Sequence, residues 1–317
     1  LLDVARHFLS PADLHAVLDD LARLKMNVLH IHFSDDQAYR LPSLAWPLLP
    51  SAEHYSPSEL RDLVGYASDL GIRIIPEIDV PGHVTHWLCA YPQWGMHTVE
   101  PTQRFGVHEA CLNPADEQVY AALEKIFSEL TEIFPDQFVH VGGDEVNPSW
   151  WDSNAQAQEF IAKHKLKDVR GLQNYFLQRL QRMLAKMGKR VIGWDEVLHA
   201  DVPDCVIQNW RGMTTRDRAL ALNRDCVVSA PFYLDLFFPA DIHYQFDIQG
   251  SQAQLVAMEN QLGEDLRLQH IAQALVWTHQ WRQGAVDLGE QGGGGEVLGG
   301  EACLWAELVD SQTLMSR

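Results

Sequence analysis

The repetition of one unit constrains this chain more than any single motif does. Short apolar runs alternate with amphipathic helical patterns along its whole length. Eight runs read as strands: the opening Leu1-Leu2-Asp3-Val4-Ala5, then Asn27 to Phe33, Ile72 to Ile78, Phe138 to Gly143, Arg190 to Trp194, Val206 to Gln208, Cys226 to Ser229 and Val297 to Ala302. Helix starts fall between them. Ser10-Pro11-Ala12-Asp13 offers a serine cap, a proline at the first position and an acid two residues later, followed by Leu14, Val17, Leu18, Leu21 and Leu24 at helical spacing. Ser56-Pro57-Ser58-Glu59 carries a capping box, and its helix should stop at Gly71. A third helix should open at Asn113-Pro114 and run to about Phe134, and a fourth should run from about 171 to Gly188.

Repeated strand–helix units imply a parallel sheet. Eight of them favour an α/β fold of the closed (β/α)8 TIM-barrel type over an open doubly wound sheet. No GxGxxG follows the first strand, which argues against a dinucleotide cofactor, and the run Gly292 to Gly295 lacks the GK[ST] of a phosphate cradle. No cofactor is expected. The segment after Glu307 is short, so the last helix is expected to be absent. Residue 1 is not Met and falls inside an apolar run. Residues 1–317 therefore read as one barrel domain cut from a longer chain, whose localisation signal would have been lost. An exported protein (periplasmic, secreted or lysosomal-type) is the expectation.

Composition narrows the partners. A net charge of −19 argues against nucleic acid, because phosphate binding needs a basic face. No run of 18 apolar residues exists, so no membrane span is expected. The five cysteines show no CxxC or zinc spacing, so most should be free, with Cys89 and Cys111 the best placed for one disulfide.

In such a barrel the chemistry sits at the C-terminal ends of the strands. The unusual polar residues collect there: Arg6 and His7, then Asp35, Asp36 and Gln37, then Asp79 and His83, then Asp144 and Glu145. The later strands add Trp194, Asp195 and Glu196, then Trp210 and Arg211, then Tyr233 and Asp235, then Trp305 and Glu307. The fourth group is the most telling. His140-Val141-Gly142-Gly143-Asp144-Glu145 ends an apolar strand in two glycines and presents adjacent carboxylates. Their mutual repulsion can hold one of them protonated near neutral pH, which equips the pair to cleave a glycosidic bond. Tryptophans at three strand ends suit the apolar faces of a neutral pyranose.

Other residues have plainer explanations. His30-x-His32 could ligate a metal in an amidohydrolase, with Asp79, His83 and His140 in support. The preferred account is two core histidines bonded to neighbouring strand-end groups. Trp46, Trp87, Trp94, Trp150 and Trp151 read as loop packing, and Trp277 and Trp281, one helical turn apart, as helix packing. Asp35 or Asp36 could simply cap the turn that follows. A non-catalytic sugar-binding barrel is a further alternative.

Taken in order, these motifs resemble glycoside hydrolase family 20, the β-N-acetylhexosaminidases. The resemblance covers Asp3 to Phe8, His30 to Arg40, Glu77 to His83, His140 to Glu145, Gly193 to Glu196, Gln208 to Trp210, Tyr233 to Asp235 and Gly299 to Glu307. It implies an exo-acting, retaining hydrolase whose nucleophile is the 2-acetamido oxygen of its own substrate, through an oxazolinium ion. By the same resemblance Glu145 is the acid and then the base. Asp144 orients the acetamido N–H, and Tyr233 bonds the acetamido carbonyl. Trp194, Trp210 and Trp305 wall the pocket. Arg6, Asp235 and Glu307 hold sugar hydroxyls, and Asp35, Asp79 and His83 support the catalytic pair. No metal is implied, and the partner is a glycan with a terminal N-acetylhexosamine. Against the family pattern, a preceding small α/β domain and the final helix are missing, and the segment from about 240 to 296 is a longer, more glycine-rich loop.

Overall fold

The computed structural model describes residues 1–199, 202, 204–230, 232–268 and 294–314. Eight parallel strands form one sheet: β1 (Leu2–Asp3), β2 (Val28–His32), β3 (Arg73–Glu77), β4 (Phe138–His140), β5 (Arg190–Trp194), β6 (Cys205–Asn209), β7 (Cys226–Val228) and β8 (Val297–Gly300). Each pairs with the next in chain order. The sheet curls back on itself just beyond β8. Leu2 forms a parallel bridge with Leu304, and the Asp3 N–H donates to the Leu304 carbonyl at 3.1 Å. The eight sequence runs all become strands of this TIM-like barrel.

Alternation along the strands sorts the side chains. Leu29, Ile31, Ile74, Val139, Val191 and Ile207 belong to the main core, together with Leu14, Leu18, Leu60, Leu63, Ile126, Leu130, Leu180 and Leu184 of the surrounding helices. Ile75, Phe138, Ile192 and Val206 form a separate small apolar cluster. Two residues further along those same strands come Glu77, His140, Trp194 and Gln208, all buried. One face of the barrel strands therefore runs from apolar to polar towards their C-terminal ends, and the polar layer becomes the base of a site.

The helices begin where their caps require. The Ser10 hydroxyl accepts the Asp13 N–H while the Asp13 carboxylate accepts the Ser10 N–H, opening α1 (Pro11–Arg23). Ser56 and Glu59 do the same for α2 (Pro57–Asp69). The third helix, α3 (Glu117–Ile133), starts later than Asn113-Pro114 suggests. Asn113 closes a local turn by accepting the Ala115 N–H, and Asp116 supplies the cap. It is followed by α4 (Val169–Lys186), α5 (Met213–Ala221) and α6 (Gln252–Glu264).

Three expectations change. The segment from about 240 is not simply a loop: helix Ala240–Gln245 and α6 lie in it, the latter opened by a capping box between Ser251 and Gln254. Cys89 and Cys111 do not pair; all five cysteines are free. Cys111 is buried in a satellite cluster with Trp151 and Leu172 and donates to the Glu109 carbonyl, whereas Cys89 sits half-buried on helix Thr85–Ala90. A short antiparallel ribbon, Ser34–Asp35 with Ala38–Tyr39, follows β2 where no strand was expected. Trp46, Trp87 and Trp94 do pack together, but Trp87 lies on helix Thr85–Ala90 and Trp94 in a 3-10 turn rather than in loops, and the indole of Trp151, on helix Ser149–Asp152, donates to the Leu112 carbonyl at 3.0 Å. Trp277 and Trp281 lie outside the described residues.

Candidate active site

The turn after β4 is dictated by what lies against it. Gly142 and Gly143 have φ of +66° and +90°, and a Cβ on Gly142 would stand 1.8 Å from an Asp79 carboxylate oxygen. Only glycine allows that approach. The Gly143 N–H then donates to Asp79 Oδ1 at 3.0 Å. The next residues, Asp144 and Glu145, are thrown into the mouth of the barrel. Glu145 itself has φ of +49°, a left-handed conformation that non-glycine residues rarely adopt. Across from it His83 shares this feature at +53°. Such conformations are held only where the surroundings over-determine them, and they cluster at functional sites.

His83 is the centre of the charged side of the mouth. Its Nε2 lies 3.5 Å from Glu145 Oε2 and 3.8 Å from Asp144 Oδ2, and its Nδ1 lies 3.1 Å from Asp35 Oδ1. Asp35 Oδ2 in turn meets Arg6 Nη2 and His32 Nε2, each at 2.8 Å. Burial opposes charge on His83, but Asp35 and Asp79 outweigh it and hold the imidazole well above its usual range. Burial likewise opposes charge on Asp35, but Arg6 and His83 outweigh it and hold the carboxyl well below. Asp144 goes the other way. Burial, then the neighbouring Asp79, pushes it well above the ordinary carboxylate range, with Glu145 adding to the effect.

Below this layer Glu77 joins four strand-borne groups. Its Oε1 accepts the Trp194 indole N–H at 2.9 Å and lies 3.0 Å from His140 Nδ1. Its Oε2 lies 2.8 Å from His32 Nδ1 and 3.1 Å from His30 Nε2. His30 also reaches Glu301 Oε1 at 2.9 Å. The His30-x-His32 pair thus faces carboxylates of its own fold, as the core account of these residues expects.

The side built from β5 to β8 is aromatic. Trp194 and Trp305 rings stand 5.7 Å apart, and the Arg6 guanidinium lies 5.1 Å above Trp305. The Trp305 backbone N–H donates to Asp235 Oδ1 at 3.4 Å, and Tyr233 forms a parallel bridge with Cys303. Trp210 is held by its indole N–H, which donates to Glu196 Oε2 at 3.0 Å. Arg211 spans Asp195 and Glu196 at 2.5 Å and 3.3 Å. Burial pushes Asp235 up to about 7 and raises Glu307, an effect that Arg6 partly offsets for Glu307.

The full chain, residues 1–317, matches the catalytic domain of glycosyl hydrolase family 20. The chain belongs to that family. This family 20 domain is 30% identical over 339 residues to the human beta-hexosaminidase subunit beta, covering all of the present chain and 53% of the human protein. It is 34% identical over 266 residues to a beta-hexosaminidase of Porphyromonas gingivalis, covering 78% of this chain and 33% of that protein. Among solved structures, the chitobiase of Flavobacterium johnsoniae superposes with a TM-score of 0.82 at 33% identity, over 99% of this chain and 45% of that one. The chain therefore spans about half the length, or less, of these relatives.

The family 20 domain brings Arg6, Asp35, Asp79, His83, Asp144 and Glu145 together on one side of the mouth, with Trp194, Trp210, Tyr233, Asp235, Trp305 and Glu307 contributed from the other strands. Asp35 is more than a turn cap. It does accept the Asp36 N–H, but it also pairs with three cationic side chains. Asp36 does not cap that turn: it accepts the Thr85 N–H at 3.0 Å and the Thr85 hydroxyl at 2.5 Å, at the start of the distant helix Thr85–Ala90. Sequence reasoning gave no role to Glu77, Glu196 or Arg211. The signal for Glu77 was present: it lies on the same face of its strand as Ile75, at the level where the neighbouring strand carries His32.

Proposed function

We propose that this domain is an exo-acting β-N-acetylhexosaminidase that retains configuration by using the substrate's own 2-acetamido group as nucleophile. The observation that carries the reading is the pair Asp144–Glu145, presented by a glycine turn beside His83 and opposite the Trp194–Trp305 wall. The acetamido oxygen attacks C1 as the glycosidic C1–O bond breaks, and Glu145 gives its proton to the departing oxygen. Water then adds to C1 from the vacated side, Glu145 takes its proton, and the C1–O bond to the acetamide breaks. Two displacements at one carbon return the original configuration. Asp144 accepts the acetamido N–H and faces the positive charge of the oxazolinium ion. Tyr233 steadies the acetamido carbonyl. An intramolecular nucleophile held in place by such contacts has a large effective concentration. Trp194, Trp210 and Trp305 wall the sugar, while Arg6, Asp235 and Glu307 hold its hydroxyls. The substrate is a glycan ending in β-linked N-acetylglucosamine or N-acetylgalactosamine, which fits the solved product complex of a mutant Streptomyces plicatus beta-hexosaminidase with GlcNAc, 25% identical to this chain.

The test compares aryl N-acetyl-β-hexosaminides with the plain aryl β-glucoside. The N-acetylated substrates should be cleaved with retention and the plain glucoside left intact; hydrolysis of both at similar rates would rule out assistance by the acetamide.

A further inference from the structure

Resting on that reading, we propose that Asp79 is a neutral carboxylic acid in the substrate complex, holding the proton that lets neighbouring Asp144 act as the anion. The buried carboxylates of the site differ in what they face. Asp35 has Arg6, His32 and His83 within ion-pair distance, and Glu77 has His30, His32 and His140. Asp79 is 1% exposed and, among the described residues, meets no cation within 4.0 Å. Its one hydrogen bond to Oδ1 comes from the neutral Gly143 N–H. A ligand atom of Asp79 lies within 4.8 Å of both His83 and Asp144, and another grouping places it as close to His32 and Glu77. An isolated buried carboxylate is expensive unless it is paired, so such a group takes up a proton instead.

Every element packed against Asp79 bears on that proton. Glu77 at the end of β3 and Asp35 after β2 favour keeping it, whereas His83 and His32 favour losing it. Burial is the largest influence, and the balance places Asp79 at about 7. Asp144 is also raised, chiefly by burial and then by Asp79. In the empty site these two carboxyls therefore compete for a proton. An acetamido N–H needs an acceptor, and it selects the state in which Asp144 is charged. The proton passes from an Asp144 oxygen to an Asp79 oxygen, with no net uptake or release. Asp79 is thus a positioning residue: it touches no substrate and sets the charge of the residue that does.

The experiment is the pH dependence of kcat/KM for an aryl N-acetyl-β-glucosaminide, measured on Asp79→Asn and Asp79→Ala with Glu145→Gln alongside. Asparagine resembles the neutral acid: it keeps an oxygen for the Gly143 N–H and places an uncharged donor within 4.8 Å of Asp144. Asp79→Asn should therefore recover at least tenfold of the activity lost in Asp79→Ala. Its alkaline limb should also shift upward by at least one pH unit, because the group that titrates near 7 has gone. Asparagine no better than alanine, or an alkaline limb left in place, overturns the proposal. If Asp79→Asn does not melt cooperatively, Asp79→Ser, also a neutral donor, is compared with alanine by the same criteria. Loss of activity in Glu145→Gln separates the two ideas: if that variant stays active, the hexosaminidase reading itself fails.

Discussion

The two halves of the barrel mouth are built on different physics. The half from β1 to β4 is a charged lattice of Arg6, Asp35, His83, Asp144 and Glu145, tied by contacts of 2.8 to 3.8 Å. The half from β5 to β8 is a set of indole faces: Trp194 and Trp210 are fixed at their edges by Glu77 and Glu196, and Trp305 is held through its backbone N–H by Asp235. The first arrangement is intolerant, since Asp35, His83 and Asp144 are buried and each charge depends on the next. The second presents broad surfaces whose energy scales with contact area. Under the proposed function, proton transfer draws on the former and ring recognition on the latter, so that reading places chemistry in one half and affinity in the other.

Substitutions should separate these roles. Glu145→Gln on the charged side should lower kcat by a factor on the order of 10²–10⁴ with KM nearly unchanged, read from steady-state kinetics on an aryl N-acetyl-β-glucosaminide. A large rise in KM with kcat intact would erase the division. Asp35→Asn should destabilise the fold by about 3–5 kcal/mol in chemical denaturation, because it leaves Arg6, His32 and His83 around a neutral group. Trp305→Ala, on the aromatic side, should raise KM about tenfold, or about 1.4 kcal/mol, and change kcat less.

Acid and alkali should each weaken the charged half, through different groups. The Asp35 carboxyl is lowered in the fold, so its contribution to stability is present above its unfolded value of 3.8 and is lost as pH falls below that. The His83 imidazole is raised, so its contribution is complete below 6.5 and is lost as pH rises through the higher folded value. Melting temperature against pH should show both declines, and Asp35→Asn should flatten the acid one. The smallest effect should come from reductant. Cys89 and Cys111 on one half and Cys205, Cys226 and Cys303 on the other are all free, so dithiothreitol should leave the melting temperature unchanged.

Much of this division could be read in the sequence, and the reason lies in periodicity. Strand runs and capping boxes are local signals, so the eight strands and the starts of α1 and α2 followed from a few adjacent residues. Site residues at strand ends were visible because polar groups interrupt apolar runs there. What stayed hidden was pairing between distant segments. Nothing near Glu77 announces that it will accept the Trp194 indole N–H, 117 residues away. Likewise nothing near Asp79 announces that it will lie beneath Gly142 without a cation of its own. The Cys89–Cys111 expectation failed for the same reason: flanking one loop says little about whether two sulfurs meet.

The closing contact of the barrel has a consequence for how the protein is made. Asp3 gives its N–H to the Leu304 carbonyl, and its carboxylate accepts the Ala306 N–H at 3.0 Å. Arg6, beside it, reaches Trp305 across the same seam. The mouth is thus stitched from Asp3 and Arg6 and from residues synthesised some three hundred codons after them. A chain growing on the ribosome can form helices and strands early, but its mouth stays unfinished until Glu307 has emerged. A polypeptide that ends before that point carries Asp144 and Glu145 but lacks the Leu304 and Ala306 contacts that close the barrel mouth.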